Sequence, residues 1–147
     1  MYTIYGTLEP KRGFTLKRKR KIMIVDDELD VVRVLKIYLE KKGFQVDTFT
    51  DANLALQHFR DEFSPFNAHP FDLMVLDIKM PRMNGFELYN KIKEHDGTIK
   101  VCFMTALDEL QEYDQYKDEV SPATGKRHYV QKPIRNEQLL DQIISML

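Results

Sequence analysis

Four charged side chains stand where apolar runs stop. Asp26-Asp27 follows Ile22-Met23-Ile24-Val25, and Asp77 follows Phe71-Asp72-Leu73-Met74-Val75-Leu76. Asp77 also opens the loop Ile78-Lys79-Met80-Pro81-Arg82-Met83-Asn84-Gly85, and Lys132-Pro133 comes after a later strand candidate. A strand that ends on a carboxylate and breaks into a Pro/Gly loop sets that carboxylate at the carboxyl edge of a sheet, where ligands gather in open α/β folds. Three carboxylates at one mouth repel one another unless a cation intervenes. Carboxylate oxygens with room for waters suit Mg2+ better than zinc. An ammonium nearby, Lys132, would hold an oxygen of a transferred phosphoryl group, with Asp77 as covalent nucleophile. Each residue also has a bland reading. Asp27 and Thr105 could cap helices, Tyr129 could be core, and Pro133 could carry a cis bond that aims the lysine.

The elements that must position these groups follow from periodicity. Lys21–Val25 reads as a buried strand, and Leu29–Lys42 as a helix with Val32, Leu35 and Leu39 on one face, stopped by Gly43. Gln45–Phe49 alternates as a strand does, and Asp51 is the expected N-cap of a helix carrying Leu54, Leu56 and Phe59. Strands at Phe71–Leu76, Lys100–Met104 and Arg127–Gln131 and helices at Phe86–Glu94 and Asn136–Met146 complete the pattern, the last with Leu139, Leu140, Ile143 and Ile144 apolar. Strand and helix alternate, which argues a parallel sheet covered on both faces. Two connections are long: Asp61–Pro70, and Ala106–His128 with its turn-rich Ser121-Pro122-Ala123-Thr124-Gly125.

Composition narrows the class. The chain has 147 residues, 43% hydrophobic and 31% charged, with a net charge of -1: one domain plus an extension, of ordinary globular balance. No apolar run reaches the length of a membrane span, and the first twenty residues lack the apolar core of a secretion signal. Cys102 is the single cysteine, so there is no disulfide framework and the expected location is cytoplasmic. Its apolar neighbours mark it as a buried small hydrophobe. Residues 1–21 carry seven bases (Lys11, Arg12, Lys17, Arg18, Lys19, Arg20, Lys21) against Glu9 alone. Residues 1–20 are therefore read as a basic, poorly ordered extension, and 21–147 as the folded domain. The four histidines, His58, His69, His95 and His128, are too scattered to suggest a metal site.

Taken together, Val25-Asp26-Asp27-Glu28, Leu76-Asp77-Ile78-Lys79-Met80-Pro81 with Met83-Asn84-Gly85, Met104-Thr105-Ala106 and Tyr129-Val130-Gln131-Lys132-Pro133 resemble the motifs of a response-regulator receiver domain, the CheY-like module of two-component signalling. The resemblance covers about residues 21–146. It implies a single flavodoxin-like (βα)5 domain, a doubly wound parallel five-stranded sheet of order 2-1-3-4-5. By the same resemblance Asp77 is the phosphoacceptor, Asp27 a direct Mg2+ ligand, Asp26 a ligand mainly through water, and the backbone carbonyl of Lys79 a further ligand. Lys132 would pair with the phosphoryl group, Thr105 would donate its hydroxyl to it, and Tyr129 would swing inward. The implied donor is a sensor histidine kinase or phosphotransfer protein. The output would be a protein partner, met as a monomer or a phosphorylation-dependent dimer, with no membrane partner. Such a domain is a regulator and not an enzyme, with slow self-dephosphorylation at most.

The chain departs from that pattern in its two long connections and in lacking the Gly-Ala step that family members often place before the fifth strand. Lys79 stands two residues after the phosphoacceptor, a position that tunes phosphoryl lifetime in the family. Two other readings compete. A phosphohydrolase of the haloacid-dehalogenase type would need an acid where Lys79 stands. A pseudo-receiver, or a nucleic-acid-binding module acting through the basic 11–21 segment, would work without phosphorylation and bind with steep salt dependence.

Overall fold

Apolar residues in the central strands alternate between two sets, and the chain winds so that each set meets its own pair of helices. This is seen in a computed structural model that describes residues 2–4, 16–106 and 129–147, with only the backbone at 2–4, 16 and 17. The elements are β1 (Tyr2–Ile4), β2 (Leu16–Arg18), β3 (Lys21–Val25), α1 (Leu29–Lys41), β4 (Gln45–Phe49) and α2 (Ala52–Glu62). They continue with β5 (Leu73–Asp77), α3 (Gly85–Lys93), β6 (Lys100–Thr105), β7 (Tyr129–Gln131) and α4 (Asn136–Met146). β1 and β2 pair antiparallel. The other five strands form one sheet in the order β4-β3-β5-β6-β7, parallel throughout. That is the flavodoxin-like 2-1-3-4-5 order expected from the sequence.

On one face Met23, Val25, Met74, Leu76 and Phe103 pack against Ala55, Leu56 and Phe59 of α2 and Phe86, Leu88 and Ile92 of α3. On the other, Ile22, Ile24, Leu73, Val75 and Cys102 pack against Val32, Leu35 and Leu39 of α1 and Leu139 and Ile143 of α4. β5, in the middle, is buried at every position, as a strand covered on both faces must be. Burial pushes the Cys102 thiol up to about 12, so it behaves as a small hydrophobe.

The helix ends have local causes. Gly43 takes φ 98, the left-handed conformation that closes α1, and Phe44 N–H donates to the Leu39 carbonyl at 3.2 Å. Asp51 caps α2, its carboxylate accepting from Asn53 N–H and Leu54 N–H. Those backbone bonds, Leu54 first, together with the Arg82 guanidinium, hold its pKa below the usual carboxylate value against a smaller opposing effect of burial. Asn84 starts α3 in a capping box: it accepts from Glu87 N–H at 2.8 Å, and Glu87 accepts from Asn84 N–H at 3.2 Å.

Several expectations change in detail. β5 runs Leu73–Asp77 rather than Phe71–Leu76, because Asp72 is drawn into a junction at the strand's start. There its carboxylate accepts from Lys21 N–H at 2.7 Å and pairs with Arg18 at 3.0 Å. α2 extends to Glu62, so the long connection begins at Phe63, and Asn67 donates its side-chain amide to the Glu62 carbonyl at the helix end. Leu54 and Ile144, named among the apolar residues of their helices, are 63% and 58% exposed. Ala52 and Ala55 take the inward positions on α2, and Leu139 and Ile143 those on α4. Asp27 does not cap α1: the N-cap is Glu28, and the Asp26 carboxylate accepts its N–H at 2.9 Å. The proposed helix and turn between Ala106 and His128, and the first two residues of the Arg127–Gln131 strand, lie outside the described residues.

Replacing Asn84 with Ala removes the acceptor from the α3 capping box. Urea unfolding should show a loss of about 1 kcal/mol, while Leu54→Gln at its exposed position should change stability by less than about 0.5 kcal/mol.

Candidate functional site

Five parallel strands bring their carboxyl ends to one edge, and the strand-end residues meet there. Asp26 leaves β3 still in the sheet's ladder, its N–H donating to the Phe49 carbonyl at 3.1 Å. Asp77 is the last residue of β5. Both are buried, whereas Asp27 is exposed. One carboxylate oxygen from each of the three lies within 4.8 Å of the others. Lys132 arrives just past β7, positioned by its N–H to the Thr105 carbonyl at 2.8 Å, and its bond to Pro133 is cis. Its Nζ lies 2.9 Å from Asp26 Oδ2 and 3.2 Å from Asp77 Oδ1, with Glu28 Oε1 further off at 3.9 Å.

Burial alone would lower the pKa of Lys132, but hydrogen bonding and Coulomb attraction from Asp26 and Asp77 outweigh it and hold the ammonium above its usual range. The lysine is thus a fixed positive charge, and it is one charge against three carboxylates. Three hard oxygen donors with a solvent-facing side at Asp27 are a fitting set for Mg2+, and a divalent cation would neutralise the remaining excess.

The loop after Asp77 is shaped by close backbone approach. Gly85 N–H donates to the Ile78 carbonyl at 2.8 Å, and Ile78 N–H donates to the Met104 carbonyl at 3.1 Å. A Cβ on Gly85 would overlap the Asp77 carbonyl oxygen and stand 3.1 Å from the Ile78 backbone, so the turn that aims Asp77 requires glycine here. Arg82, with φ 68, reaches across to pair with Asp51 and ties this loop to the start of α2.

Among the residues singled out from sequence, Asp26, Asp27, Asp77 and Lys132 come together directly. Thr105 ends β6, one residue past Met104, which pairs with Asp77. It is buried, and its hydroxyl donates to the Ala106 carbonyl at 2.8 Å. Tyr129 is half-buried beside the pocket's strands, its ring stacked on Phe103 at 5.5 Å, and burial raises its phenol pKa. The Lys79 side chain is exposed. Glu28 and the Arg82–Asp51 tie were not foreseen. Asn84 followed three residues later by Glu87 was a readable capping signal, whereas the Arg82 conformation leaves no trace in the sequence.

A flavodoxin-like sheet with acids and a lysine at its carboxyl edge defines a class of small signalling domain. Residues 22–144 match the family model described as response regulator receiver domain. The chain therefore belongs to that family and is a receiver domain of two-component signalling. It is 31% identical over 126 residues to the response regulator SaeR of Staphylococcus aureus (strain USA300), covering 86% of this chain and 50% of that protein. The chain spans about half the length of the curated relatives it matches. The CheY-like receiver domain protein of Methanospirillum hungatei JF-1 superposes with a TM-score of 0.72 at 26% identity, covering 87% of this chain and 93% of that one. The response regulator TrrA of Thermotoga maritima, solved in complex with Mg(2+)-BeF, superposes with a TM-score of 0.63 at 26% identity, covering 87% and 99%. Membership of this family displaces the phosphohydrolase reading. No helix among the described residues is long and apolar enough to cross a membrane.

The charge balance can be tested without metal. Because Asp26 rather than Asp27 accepts the Glu28 N–H, Asp27→Ala relieves repulsion at no capping cost and should melt higher than wild type in EDTA. Lys132→Met leaves buried carboxylates without their counter-ion and should lose roughly 1–3 kcal/mol, partly restored by Mg2+. The raised Lys132 pKa also fixes the alkaline response. The ion pair contributes in full below the ordinary lysine value of about 10.4 and fades as pH rises through the higher folded-state value. Above that range the wild-type advantage over Lys132→Met should vanish in metal-free melts.

Proposed function

We propose that this receiver accepts a phosphoryl group on Asp77 from a phosphohistidine of a sensor kinase or phosphotransfer protein, and that the modification changes which protein it binds. The observation that carries this reading is the Lys132 ammonium bridging Asp26 and Asp77 at 2.9 and 3.2 Å, with Asp27 alongside. Asp26, Asp27, Asp77 and the Lys79 carbonyl would hold Mg2+, which neutralises phosphoryl charge when bound. The TrrA relative, solved with Mg(2+)-BeF, supports this.

An ionised Asp77 needs no general base. A lone pair on an Asp77 carboxylate oxygen forms the O–P bond as the P–N bond of the donor breaks, and the imidazole, protonated on its other nitrogen, takes back the electron pair and leaves neutral. Lys132 moves from the carboxylate oxygens to a phosphoryl oxygen without leaving the pocket. The Thr105 hydroxyl exchanges the Ala106 carbonyl for another phosphoryl oxygen, and Tyr129 follows into the space opened. The phosphorylated state is favoured only by as much as these contacts exceed those they replace.

The donor has a ready surface. A groove of about 550 Å³ runs beside Lys132, lined by Val31, Val34 and Leu35 of α1 and by Pro133 and Ile134. Val34 and Ile37 are exposed on the same helix. An apolar helix carrying the phosphohistidine would lie there with its imidazole next to the acids.

Intact mass after incubation with Mg2+ and acetyl phosphate should show a single phosphoryl adduct, absent in Asp77→Asn and absent when EDTA replaces Mg2+. An adduct that persists in Asp77→Asn would refute the assignment. Val34→Glu should slow transfer from a protein donor by tenfold or so, equivalent to about 1.4 kcal/mol, while leaving the acetyl phosphate reaction unchanged. Equal slowing with both donors would place the defect in the pocket rather than the groove.

A further inference from the structure

A second group of ionisable side chains lies along the sheet's outer edge strand, on the amino side of the acid pocket. Asp47 stands in the middle of β4, His58 and Glu62 lie one turn apart on α2, and Lys21 begins β3. Asp47 pairs with Met23, three residues before Asp26 on an extended strand, so this cluster lies about 10 Å along the sheet from the acid pocket. His58, dismissed from the sequence because it stands far from the other histidines, finds its partners among acids instead.

We propose that Asp47, His58 and Glu62 form a binding site for a Zn2+-type divalent cation that clips α2 to the edge strand, with Lys21 as a built-in competitor. Their ligand atoms already have the spacing of such a site. His58 Nε2 is 3.0 Å from Asp47 Oδ2 and 3.6 Å from Glu62 Oε1, and all three atoms lie within 4.8 Å of one another. Tetrahedral zinc with bonds near 2.0–2.1 Å places neighbouring ligands about 3.3 Å apart, so no large rearrangement is needed. The imidazole nitrogen separates this site from the all-carboxylate pocket, since nitrogen donors favour zinc over magnesium.

The histidine is also held in place. Its ring lies between Phe49, at 5.1 Å, and Phe71, at 5.9 Å, and the aromatic walls limit how far Nε2 can turn away. The three side chains keep 27–35% of their surface in solvent, which leaves an entry path and room for a water ligand.

Lys21 marks the position as one that draws positive charge. Its Nζ is 3.6 Å from Asp47 Oδ2 and 3.4 Å from Glu62 Oε1, the same two oxygens that face His58, and it rests over the Phe71 ring at 4.8 Å. The ammonium therefore shares both carboxylate oxygens with His58, and a metal ion must displace it. An ion-pair network alone would account for the Lys21 contacts, but it predicts no response to metal.

The test uses the full chain in excess Mg2+, with Zn2+ titrated by calorimetry and Co2+ followed by its visible spectrum. Wild type should bind one Zn2+ and give the Co2+ bands of a mixed nitrogen and oxygen site. His58→Gln and Glu62→Gln should each weaken binding by about tenfold or more, and Lys21→Met should tighten it by a similar factor. Unchanged acetyl phosphate labelling of Asp77 in each variant shows that the fold is intact. Absence of Zn2+ binding by wild type, or binding that His58→Gln leaves unaltered, overturns the site. Either result leaves the phosphoacceptor reading untouched, because the two sites share no residue.

Discussion

Asp26, Asp27 and Asp77 repel one another across less than 4.8 Å, and the fold must supply enough cohesion elsewhere to hold them there. Lys132 relieves part of that repulsion, but it comes from the far side of the sheet, past β7. The pocket therefore exists only when β3, β5, β6 and β7 are all in register. That coupling makes the site a reporter of the whole sheet. A change in the charge on Asp77 would alter the balance on Lys132, whose N–H on the Thr105 carbonyl joins the ends of β6 and β7.

The cohesion comes from the two-sided core. Four phenylalanines (Phe59, Phe71, Phe86, Phe103) and the apolar residues of β3 and β5 are fully buried, each large side chain contributing on the order of 1.5–3 kcal/mol relative to exposure. The acids of the pocket sit at one edge of that core. At the opposite edge Asp72 gathers the Lys21 N–H and the Arg18 guanidinium, so the entry to β3 is fixed at both of its ends.

What could be read from sequence divides along physical lines. Lys21–Val25, Gln45–Phe49 and Asn136–Met146 were legible to the residue because their signals are local: apolar runs and periodic faces. The Asp51 cap and the Gly43 stop were legible for the same reason. That Leu54 and Ile144 face solvent while Ala52 and Ala55 are buried was not legible, because periodicity alone does not say how wide the covered stripe is. At the site, Asp26, Asp27, Asp77, Thr105 and Lys132 could be placed because strand ends in a parallel sheet share an edge. Asp47, His58 and Glu62 could not, since their meeting depends on how α2 is rotated over β4. The Arg82–Asp51 tie depends on a single left-handed residue in a loop.

The burial of β5 at all five positions also sets a gradient of motion across the sheet. Amides in that strand, flanked by β3 and β6 and covered on both faces, exchange with solvent only when the domain opens as a whole. Among the described residues β7 pairs over three positions with one neighbour, β6, so it has fewer bonds to lose on opening. Asp77 thus ends a strand flanked on both sides and covered on both faces, while Tyr129 and Lys132 sit on or beside an edge strand. A covalent change on Asp77 would be made where the sheet is held from every side, and any displacement it causes would be easiest at the margin.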